Sequence, residues 1–538
     1  AGSAAAQAAE DDDEAKENVF LLHGVTGSGK TEVYLHLIRK VLAQGKSAIF
    51  LVPEISLTVP MIRTFRQRFG PCLALLHSRL TQTERYREWM RAKRGVARVV
   101  LGARSAIFAP INKPALFILD EEGEGSYKQQ DTPRYHARAV ALQRAQRTGG
   151  VVLLGSATPS LESYYESTRG KWNYLNLPER INQRPMPRVT LVDMSEEFAK
   201  KRNRSIFSMT LKSELIKTFQ GDGQALLFLN RRGHSTYVFC RSCSYVCTCA
   251  DCEIPFTYHF TTGWLRCHHC DKCERTPALC PECGSKAIRY CGAGTQKVEQ
   301  EFRLNFPNVS YSRMDSDTTT RRCAHEEIFN DFDAGKTRCL IGTQMVARGF
   351  DFHTLDTAGI INADSTLNLP DFRSAERTFG LVAQVAGRVG RGSRPSSVVV
   401  QTYSPEHPAL VAAAAHDYRT FAEEELPLRE ELMYPPYSRL IAIVAENKND
   451  EAAQDDLLDL SERLEQEQEK AIGNGTLCLV GPGPAFIYRA KEIFRWQLLI
   501  KLQPHNRELF SAITQIFLAY SPSRRSKIKI NVDPLHPV

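Results

Sequence analysis

The 538-residue chain lacks any run of the roughly 18 to 20 uncharged apolar residues that a membrane-spanning helix needs. It also lacks the basic and then apolar N-terminal pattern of a secretion signal, and it has no internal repeat. Its 42% hydrophobic and 24% charged content excludes a disordered chain, a collagen-like chain and a small disulfide-stabilised protein. We therefore expect a soluble, intracellular protein of about three or four domains, because one core does not extend over such a length.

The apolar pattern divides the chain into segments. Residues 1–18 are rich in alanine and then in acidic residues, and we interpret them as a disordered tail. From Val19 onward, short apolar runs alternate with helical stretches, which is typical of buried parallel strands and predicts two α/β lobes in tandem. The predicted domains are lobe 1 (19–185), lobe 2 in two parts (186–239 and 292–408), a cysteine-rich insertion between them (240–291) and a small α+β C-terminal domain (409–538).

A phosphate-binding motif, GVTGSGKT, directly follows the first apolar run. Glycines at Gly24, Gly27 and Gly29 let backbone N–H groups close around the β- and γ-phosphates of a nucleotide. Lys30 adds positive charge at these phosphates, and the Thr31 hydroxyl is a ligand for Mg²⁺. An ordinary glycine turn is the alternative, but the full motif arises by chance only about 0.02 times in a chain of this length.

Acidic residues close a later apolar run at Asp120 and Glu121. A Mg²⁺-nucleotide site needs a carboxylate at the end of a neighbouring buried strand, so we expect Asp120 to hold the metal through water. Glu121 is then placed to polarise the attacking water as a general base. The alternative is a solvated acidic turn.

The second lobe ends with a basic segment that contains Gln384, Arg388 and Arg391. We expect a glycine-interrupted turn, from which the two arginines project to a nucleotide held by the other lobe and stabilise charge on its γ-phosphate. A basic surface turn is the alternative interpretation.

With these three elements in order, the chain resembles a superfamily 2 helicase, and five further segments resemble signatures of the PriA family. These segments are Pro53–Thr58, Gly102–Phe108, Gly155–Pro159, Gly342–Met345 and Asp371–Arg377. The resemblance implies two RecA-like P-loop lobes, ATP and Mg²⁺ as cofactors, and 3′-to-5′ DNA helicase activity at abandoned replication forks, where primosome assembly begins. It also implies branched and single-stranded DNA, single-stranded DNA-binding protein and other primosome proteins as partners of a cytoplasmic, nucleoid-associated monomer.

The resemblance also implies roles for individual residues. Lys30, Thr31, Asp120 and Glu121 match ATP and Mg²⁺ positions, Gln384, Arg388 and Arg391 match the last helicase motif, and Ser156 and Thr158 match the motif that couples hydrolysis to movement. The segment Ser126–Arg138 resembles the family's aromatic-rich loop, which senses single-stranded DNA. There, Tyr127 and Tyr135 are expected to stack on bases and Lys128, Arg134 and Arg138 to contact phosphates. The alternative is that the tyrosines pack beneath the loop.

Cysteine is scarce outside the insertion, since eleven of the 15 lie between Cys240 and Cys291. Four Cys-x2-Cys pairs stand out in this block: Cys240 and Cys243, Cys249 and Cys252, Cys267 and Cys270, and Cys280 and Cys283. Cys270 and Cys273 have the same spacing. Eight thiolates make two structural zinc sites of four cysteines each, although an iron–sulfur cluster also accepts four thiolates. Disulfides are disfavoured in a reducing cytoplasm.

Spacing alone does not choose how the pairs combine. The resemblance implies a nested arrangement, with the first and last pairs on one Zn²⁺ and the two middle pairs on the other. The neighbouring side chains are interpreted as non-ligands: Cys247, Cys273, Cys291, His268 and His269.

Gly123 stands where the PriA family usually has a histidine that links the carboxylate motif to the coupling motif. We also expect the family's N-terminal DNA-binding domains to be lacking. Two alternatives to a helicase follow: a DNA-stimulated translocase poorly coupled to unwinding, and a non-catalytic zinc-bearing scaffold for replisome assembly. Near the C-terminus, Arg495 and Trp496 are expected either to contact DNA or to be a solvated arginine beside a buried tryptophan.

Overall fold

The chain forms two compact units, Ala1–Arg184 and Pro185–Val538. In this computed structural model, the described residues are 18–53, 59–78, 80–181, 184–230, 237–252, 254–259, 263–268, 270–290, 295–314, 324–343, 355–390, 396–470, 477–503 and 507–535. Residues 1–17 of the predicted tail therefore lie outside the described residues.

The strands of the first unit form one sheet. They are β1 (Val19–Gly24), β2 (Ser47–Leu51), β3 (Leu73–Leu76), β4 (Val99–Gly102), β5 (Pro114–Asp120), β6 (Val151–Ser156) and β7 (Asn173–Leu177). They lie in the order β3-β4-β2-β5-β6-β1-β7, and each neighbouring pair is parallel. The carboxyl ends of all seven strands consequently meet at one edge of the sheet.

This sheet is buried on both faces. Within β2, Ile49 and Leu51 belong to one apolar cluster, whereas Ala48 and Phe50 belong to another. Alternate residues of a strand point to opposite faces, so each face of the sheet carries its own core. The α-helices of this unit are α1 (Lys30–Ala43), α2 (Val59–Phe69), α3 (Gln82–Lys93), α4 (Ala137–Thr148) and α5 (Leu161–Thr168).

Among its described residues, the second unit contains four sheets. Its strands are β8 (Arg188–Asp193), β9 (Gln224–Phe228), β10 (Val238–Cys240), β11 (Thr257–His259), β12 (Trp264–Arg266), β13 (Cys273–Arg275), β14 (Ile288–Tyr290), β15 (Tyr311–Met314), β16 (Cys339–Gly342), β17 (Leu355–Ile360), β18 (Ser397–Thr402), β19 (Arg439–Asn447), β20 (Leu477–Ala490), β21 (Ile493–Leu502) and β22 (Lys527–Val532). A parallel six-stranded sheet has the order β15-β16-β9-β17-β18-β8. The cysteine-rich segment follows β9 and precedes β15, and it adds a pair, β10-β14, and a small sheet, β11-β12-β13. An antiparallel sheet, β20-β21-β19-β22, ends the chain.

The helices of the second unit complete the layers. They are α6 (Met194–Ala199), α7 (Met209–Gln220), α8 (Thr295–Asn305), α9 (Ala324–Asp333), α10 (Asp364–Leu367), α11 (Ser374–Arg388), α12 (Pro408–Ala414), α13 (Tyr418–Glu431), α14 (Asp450–Lys470) and α15 (Arg507–Ala519). The two parallel sheets with their helices are two RecA-like lobes, and the predicted fold class is confirmed. Across the described part of the chain, no helix combines the length and apolar character required to cross a bilayer.

The cysteine-rich insertion and the C-terminal sheet are in direct contact. The guanidinium carbon of Arg266 lies 4.3 Å from the ring centre of Tyr488. His268 Nδ1 lies 3.1 Å from the carbonyl oxygen of Pro484, and the amide of Gln497 donates to the carbonyl oxygen of His268 at 3.1 Å. These polar and cation–π contacts hold the insertion against β20 and β21.

Candidate functional site

The phosphate-binding motif forms the connection between β1 and α1. Gly27 and Gly29 have positive φ values of 85° and 91°, which residues with a Cβ rarely adopt. A Cβ at Gly24 would lie 2.6 Å from Ser28 Oγ and 3.0 Å from Leu177 Cβ, so a side chain there would crowd the loop. The ammonium of Lys30 is buried and donates to the carbonyl oxygen of Gly24 at 2.6 Å. The loop is therefore tightly closed, and the Lys30 ammonium lies on its inner side.

A segment distant in sequence supports this loop. The backbone N–H of Val25 donates to the carbonyl oxygen of Leu177 at 3.2 Å, and the N–H of Ile181 donates to that of Gly27 at 3.0 Å. The sequence did not predict that residues 177–181 support the phosphate loop, because nothing in their composition relates them to the motif. Thr31 stands in the first turn of α1, where unpaired helix N–H groups favour an anion.

Asp120 ends β5, and Glu121 follows it with φ of 50°, a left-handed conformation that is strained for a glutamate. Burial, followed by the charge of Glu121, raises the pKa of Asp120 to about 6. Strained and electrostatically perturbed groups cluster at functional sites. Strand β6 lies between β1 and β5, so the carboxylates come from two strands away rather than from the neighbouring strand.

Tyr34 lies beside these carboxylates and was missed by the sequence reasoning. Its hydroxyl donates to Asp120 Oδ1 at 2.9 Å, and its side chain is fully buried. The intervening strand β6 leaves room for this contact at Gly155, where a Cβ would lie only 1.7 Å from the Tyr34 hydroxyl. Tyr34 is four residues after Lys30 on α1, so the two side chains share one face of the helix. This spacing is the sequence signal that could have identified Tyr34.

Tyr34→Phe should lower the maximal rate of ATP hydrolysis by about threefold to tenfold, because Asp120 loses the hydroxyl that orients its Oδ1 atom. The Mg²⁺ concentration at half-maximal rate should rise, since an unoriented carboxylate is a poorer ligand. Steady-state hydrolysis across a Mg²⁺ titration measures both quantities. Tyr86→Phe, at an exposed position on α3, is the control. Equal rates and Mg²⁺ dependence in both variants would remove this role from Tyr34.

The structure brings eight cysteines together as two groups of four. The first group is Cys240, Cys243, Cys280 and Cys283, and the second is Cys249, Cys252, Cys267 and Cys270. Within each group, all sulfur atoms lie within 4.8 Å of one another. This is the nested arrangement that the resemblance predicted.

The sulfur positions fit a tetrahedral metal. The Sγ–Sγ distances are 3.7 Å for Cys240 and Cys283, 3.6 Å for Cys243 and Cys280, and 3.6 Å for Cys249 and Cys270. Four sulfurs around one zinc should lie about 3.8 Å apart, because Zn–S bonds are about 2.3 Å long. Where the residue after a pair is among the described residues, it is left-handed and turns the chain back: Ser244, Asp271 and Gly284.

Among the described residues of the insertion, Cys247 and Cys273 belong to neither group, and His268 instead contacts the C-terminal sheet. Cys291 and His269 lie outside the described residues. The two thiolate groups are closed by four cysteines each and leave no open ligand position, which is typical of structural sites.

The segment predicted to be the last helicase motif lies at the end of α11. Gln384 and Arg388 are four residues apart, so they share one face of this helix, and both are partly exposed. The sequence suggested a turn here, but the helix continues through Gly387 to Arg388. Arg391 lies outside the described residues.

Three protein families match successive parts of the chain. Residues 4–167 match the family described as DEAD/DEAH box helicase, 271–393 the helicase conserved C-terminal domain, and 430–535 the primosomal protein N C-terminal domain. A solved structure of RecG bound to a three-way DNA junction aligns with a TM-score of 0.43 and 16% identity, covering 76% of this chain and 44% of that chain.

Curated relatives align over nearly the whole chain. Replication restart protein PriA of Bacillus subtilis (strain 168) is 46% identical over 97% of this chain, which spans 64% of that relative's length. The protein of the same name in Treponema pallidum (strain Nichols) is 40% identical over 96% of this chain and 77% of its own length. The chain belongs to the PriA family. The resemblance found in the signature segments is thereby confirmed, including the primosomal C-terminal domain.

The aromatic-rich loop of this PriA family member differs from the prediction. Tyr127 is fully buried, with its hydroxyl 2.7 Å from the carbonyl oxygen of Asp120 and 3.0 Å from that of Leu51, so the alternative of a tyrosine packed under the loop is correct. Lys128 is also buried. Tyr135 packs edge-on against Phe108, a residue that is 46% exposed and was not among the predicted DNA contacts.

The C-terminal tryptophan is a core residue. Trp496 is 2% exposed, and its indole N–H donates to Asp450 Oδ1 at 2.7 Å. Arg495 pairs with Glu446 at 3.0 Å. Of the two alternatives, the buried tryptophan is correct, because the Trp496 ring has almost no exposed surface on which a base could stack.

Gly123 of the carboxylate motif lies against the segment that follows β6. A Cβ at this position would lie 3.2 Å from the backbone nitrogen of Ser160 and 3.3 Å from the carbonyl oxygen of Thr158. The backbone of the two motifs is therefore close enough at Gly123 that any side chain would crowd it. The preceding residue, Glu122, donates its N–H to the carbonyl oxygen of Gly155 at 3.1 Å and accepts the N–H of Ser160 at 2.7 Å.

Proposed function

We propose that this PriA family member is an ATP-dependent 3′-to-5′ DNA helicase that acts at stalled or abandoned replication forks and initiates primosome assembly. The closed phosphate loop, with buried Lys30 at the same sheet edge as Asp120 and the strained Glu121, is the observation that carries the proposal. The names of the curated relatives support the role in replication restart. A net charge of +8 supports DNA, branched and single-stranded, as the partner.

In this proposal, Lys30 and the backbone N–H groups of the loop bind the phosphates of ATP. Glu121, in its left-handed conformation after β5, takes a proton from the attacking water. Asp120 and Thr31 offer the oxygen ligands that Mg²⁺ prefers, and the bound ion would neutralise charge on the transferring phosphate. The roles of Gln384, Arg388 and Arg391 in the same reaction stay predictions from the family resemblance.

Two Zn²⁺ ions are proposed for the two cysteine groups, where they would hold the insertion together. Single-stranded DNA-binding protein and other primosome proteins are the proposed protein partners of a cytoplasmic monomer. These assignments are supported by family membership, and they apply to a chain that covers part of its relatives' length.

Phosphate release and strand displacement, measured together on forked duplexes, test the proposal. ATP hydrolysis should rise when single-stranded DNA is added, and a duplex with a 3′ single-stranded tail should be unwound in preference to one with a 5′ tail. Hydrolysis without displacement would instead favour a translocase, the alternative that Gly123 motivates. No DNA-stimulated hydrolysis would contradict both motor functions and leave the zinc-bearing scaffold.

A further inference from the structure

Two exposed apolar side chains border the phosphate loop at the start of α1. Ile181 is 58% exposed and Val33 is 36% exposed. The Ile181 side chain lies over Gly29, since a Cβ at that glycine would be 3.2 Å from Ile181 Cδ1. The N–H of Val33 donates to the carbonyl oxygen of Gly29 at 3.3 Å, and helical side chains lean toward the preceding turn. Both side chains therefore lie next to the same glycine, at the surface of the loop.

The backbone holds Ile181 at this position. Its N–H donates to the carbonyl oxygen of Gly27 at 3.0 Å, and four residues earlier the carbonyl oxygen of Leu177 accepts the N–H of Val25 at 3.2 Å. Residues 177–181 thus follow the loop and present one apolar side chain to solvent. A ligand that packs on this side chain buries apolar area without having to order a mobile segment.

The strand order indicates which part of a nucleotide reaches these side chains. Strand β1 lies between β6 and β7, and β5 lies beyond β6. The loop therefore has the carboxylates of β5 on one side and residues 177–181 on the other. In the proposed function, the γ-phosphate faces Asp120 and Glu121, and the base is attached at the opposite end of the triphosphate. The base consequently leaves the loop toward β7, on the side of Ile181.

We propose that Ile181 and Val33 form the surface that contacts the nucleobase of ATP. A nucleobase carries its polar groups on its edges, so one of its ring faces can pack on these apolar side chains. The proposal rests on the proposed function and deepens it. It assigns the base to Ile181 and Val33, whereas Lys30 and the N–H groups of the loop bind the phosphates.

Titration calorimetry of the full chain with ADP and with inorganic tripolyphosphate, both in the presence of Mg²⁺, tests this assignment. Ile181→Ala should raise the Kd for ADP by about fivefold, because the base loses apolar contact area. The Kd for tripolyphosphate should stay within about twofold, since this ligand has no base. Ile181→Leu keeps the apolar area and should bind ADP within about twofold of the unsubstituted chain. Val33→Ala removes less area and should raise the Kd for ADP by about twofold to threefold.

Steady-state hydrolysis gives a second measurement. Ile181→Ala should raise the KM for ATP and leave kcat within about twofold, because the base lies far from the reacting γ-phosphate. Val96→Ala is the matched control, since Val96 is 56% exposed in the same unit and lies before β4. It should change neither Kd. Thermal unfolding of each variant shows that it is folded.

Equal losses of affinity for ADP and tripolyphosphate in Ile181→Ala would show that Ile181 only supports the loop, and they would overturn the proposal. An unchanged Kd for ADP in both Ile181→Ala and Val33→Ala would overturn it as well. Failure of the unsubstituted chain to bind either ligand would contradict the nucleotide site of the proposed function, and the base-binding surface with it.

Discussion

Lys30→Ala is expected to lower DNA-stimulated ATP hydrolysis by about 100-fold or more, because the phosphates lose the ammonium that the loop holds at their position. Lys30 is buried, and its Nζ atom lies 2.6 Å from the carbonyl oxygen of Gly24 in the closed loop. The measurement is phosphate release at saturating ATP and oligo-dT, with strand displacement recorded on the same preparation.

The control for this prediction lies on the same helix. Lys40 is exposed in the last turn of α1, and Lys40→Ala should leave hydrolysis within about twofold of the unsubstituted rate. Thermal unfolding of both variants shows whether each is folded. Hydrolysis that survives in a folded Lys30→Ala variant would place the nucleotide elsewhere and contradict the assignment of the loop.

Loss of zinc should have the second large effect. The purified chain should contain about two zinc ions, and each structural ion contributes an apparent binding free energy of about 10 to 16 kcal/mol to the folded state. Cys240→Ser and Cys249→Ser should each reduce the content by about one zinc per chain. Each should also unfold the part of the insertion that its group holds, β10 and β14 for the first and β11 to β13 for the second. Elemental analysis and limited proteolysis measure the two consequences.

Cys273→Ser is the matched substitution, since Cys273 is exposed in the same insertion and belongs to neither group. It should retain both ions. A content of one zinc in the unsubstituted chain, or visible absorbance from iron, would contradict the assignment of two zinc sites. Loss of both ions from Cys249→Ser alone would show that the two groups are not independent.

Much of the candidate site could be predicted because its chemistry is local. A phosphate loop is eight consecutive residues, and the order of its glycines already determines how its N–H groups turn inward. Each Cys-x2-Cys pair likewise places two sulfurs on one metal edge without help from the rest of the fold. The combination of these pairs is not local, and only the family resemblance suggested the nested arrangement before the structure placed Cys240 beside Cys283.

The predictions that failed concern side chains whose environment is set by distant residues. Tyr127 and Arg138 stand in an aromatic and basic segment, which favours contacts with DNA. The structure places Tyr127 under Asp120 and Leu51, and it pairs Arg138 with Glu122. Trp496 is similar, because Asp450 lies 46 residues away and satisfies its indole N–H. Burial of an aromatic ring or an arginine cannot be read from its immediate neighbours.

By itself, the sequence determined the two α/β lobes, the phosphate loop, the carboxylates at Asp120 and Glu121, and the eight cysteines with ligand spacing. Those features follow from periodicity and from contacts within a few residues. Only the tertiary structure decided that Tyr34 orients Asp120 across 86 residues and that Glu122 joins Arg138 to Ser163. Such pairings depend on the strand order β5-β6-β1 and on a missing side chain at Gly155, because these set which buried groups come within hydrogen-bonding distance.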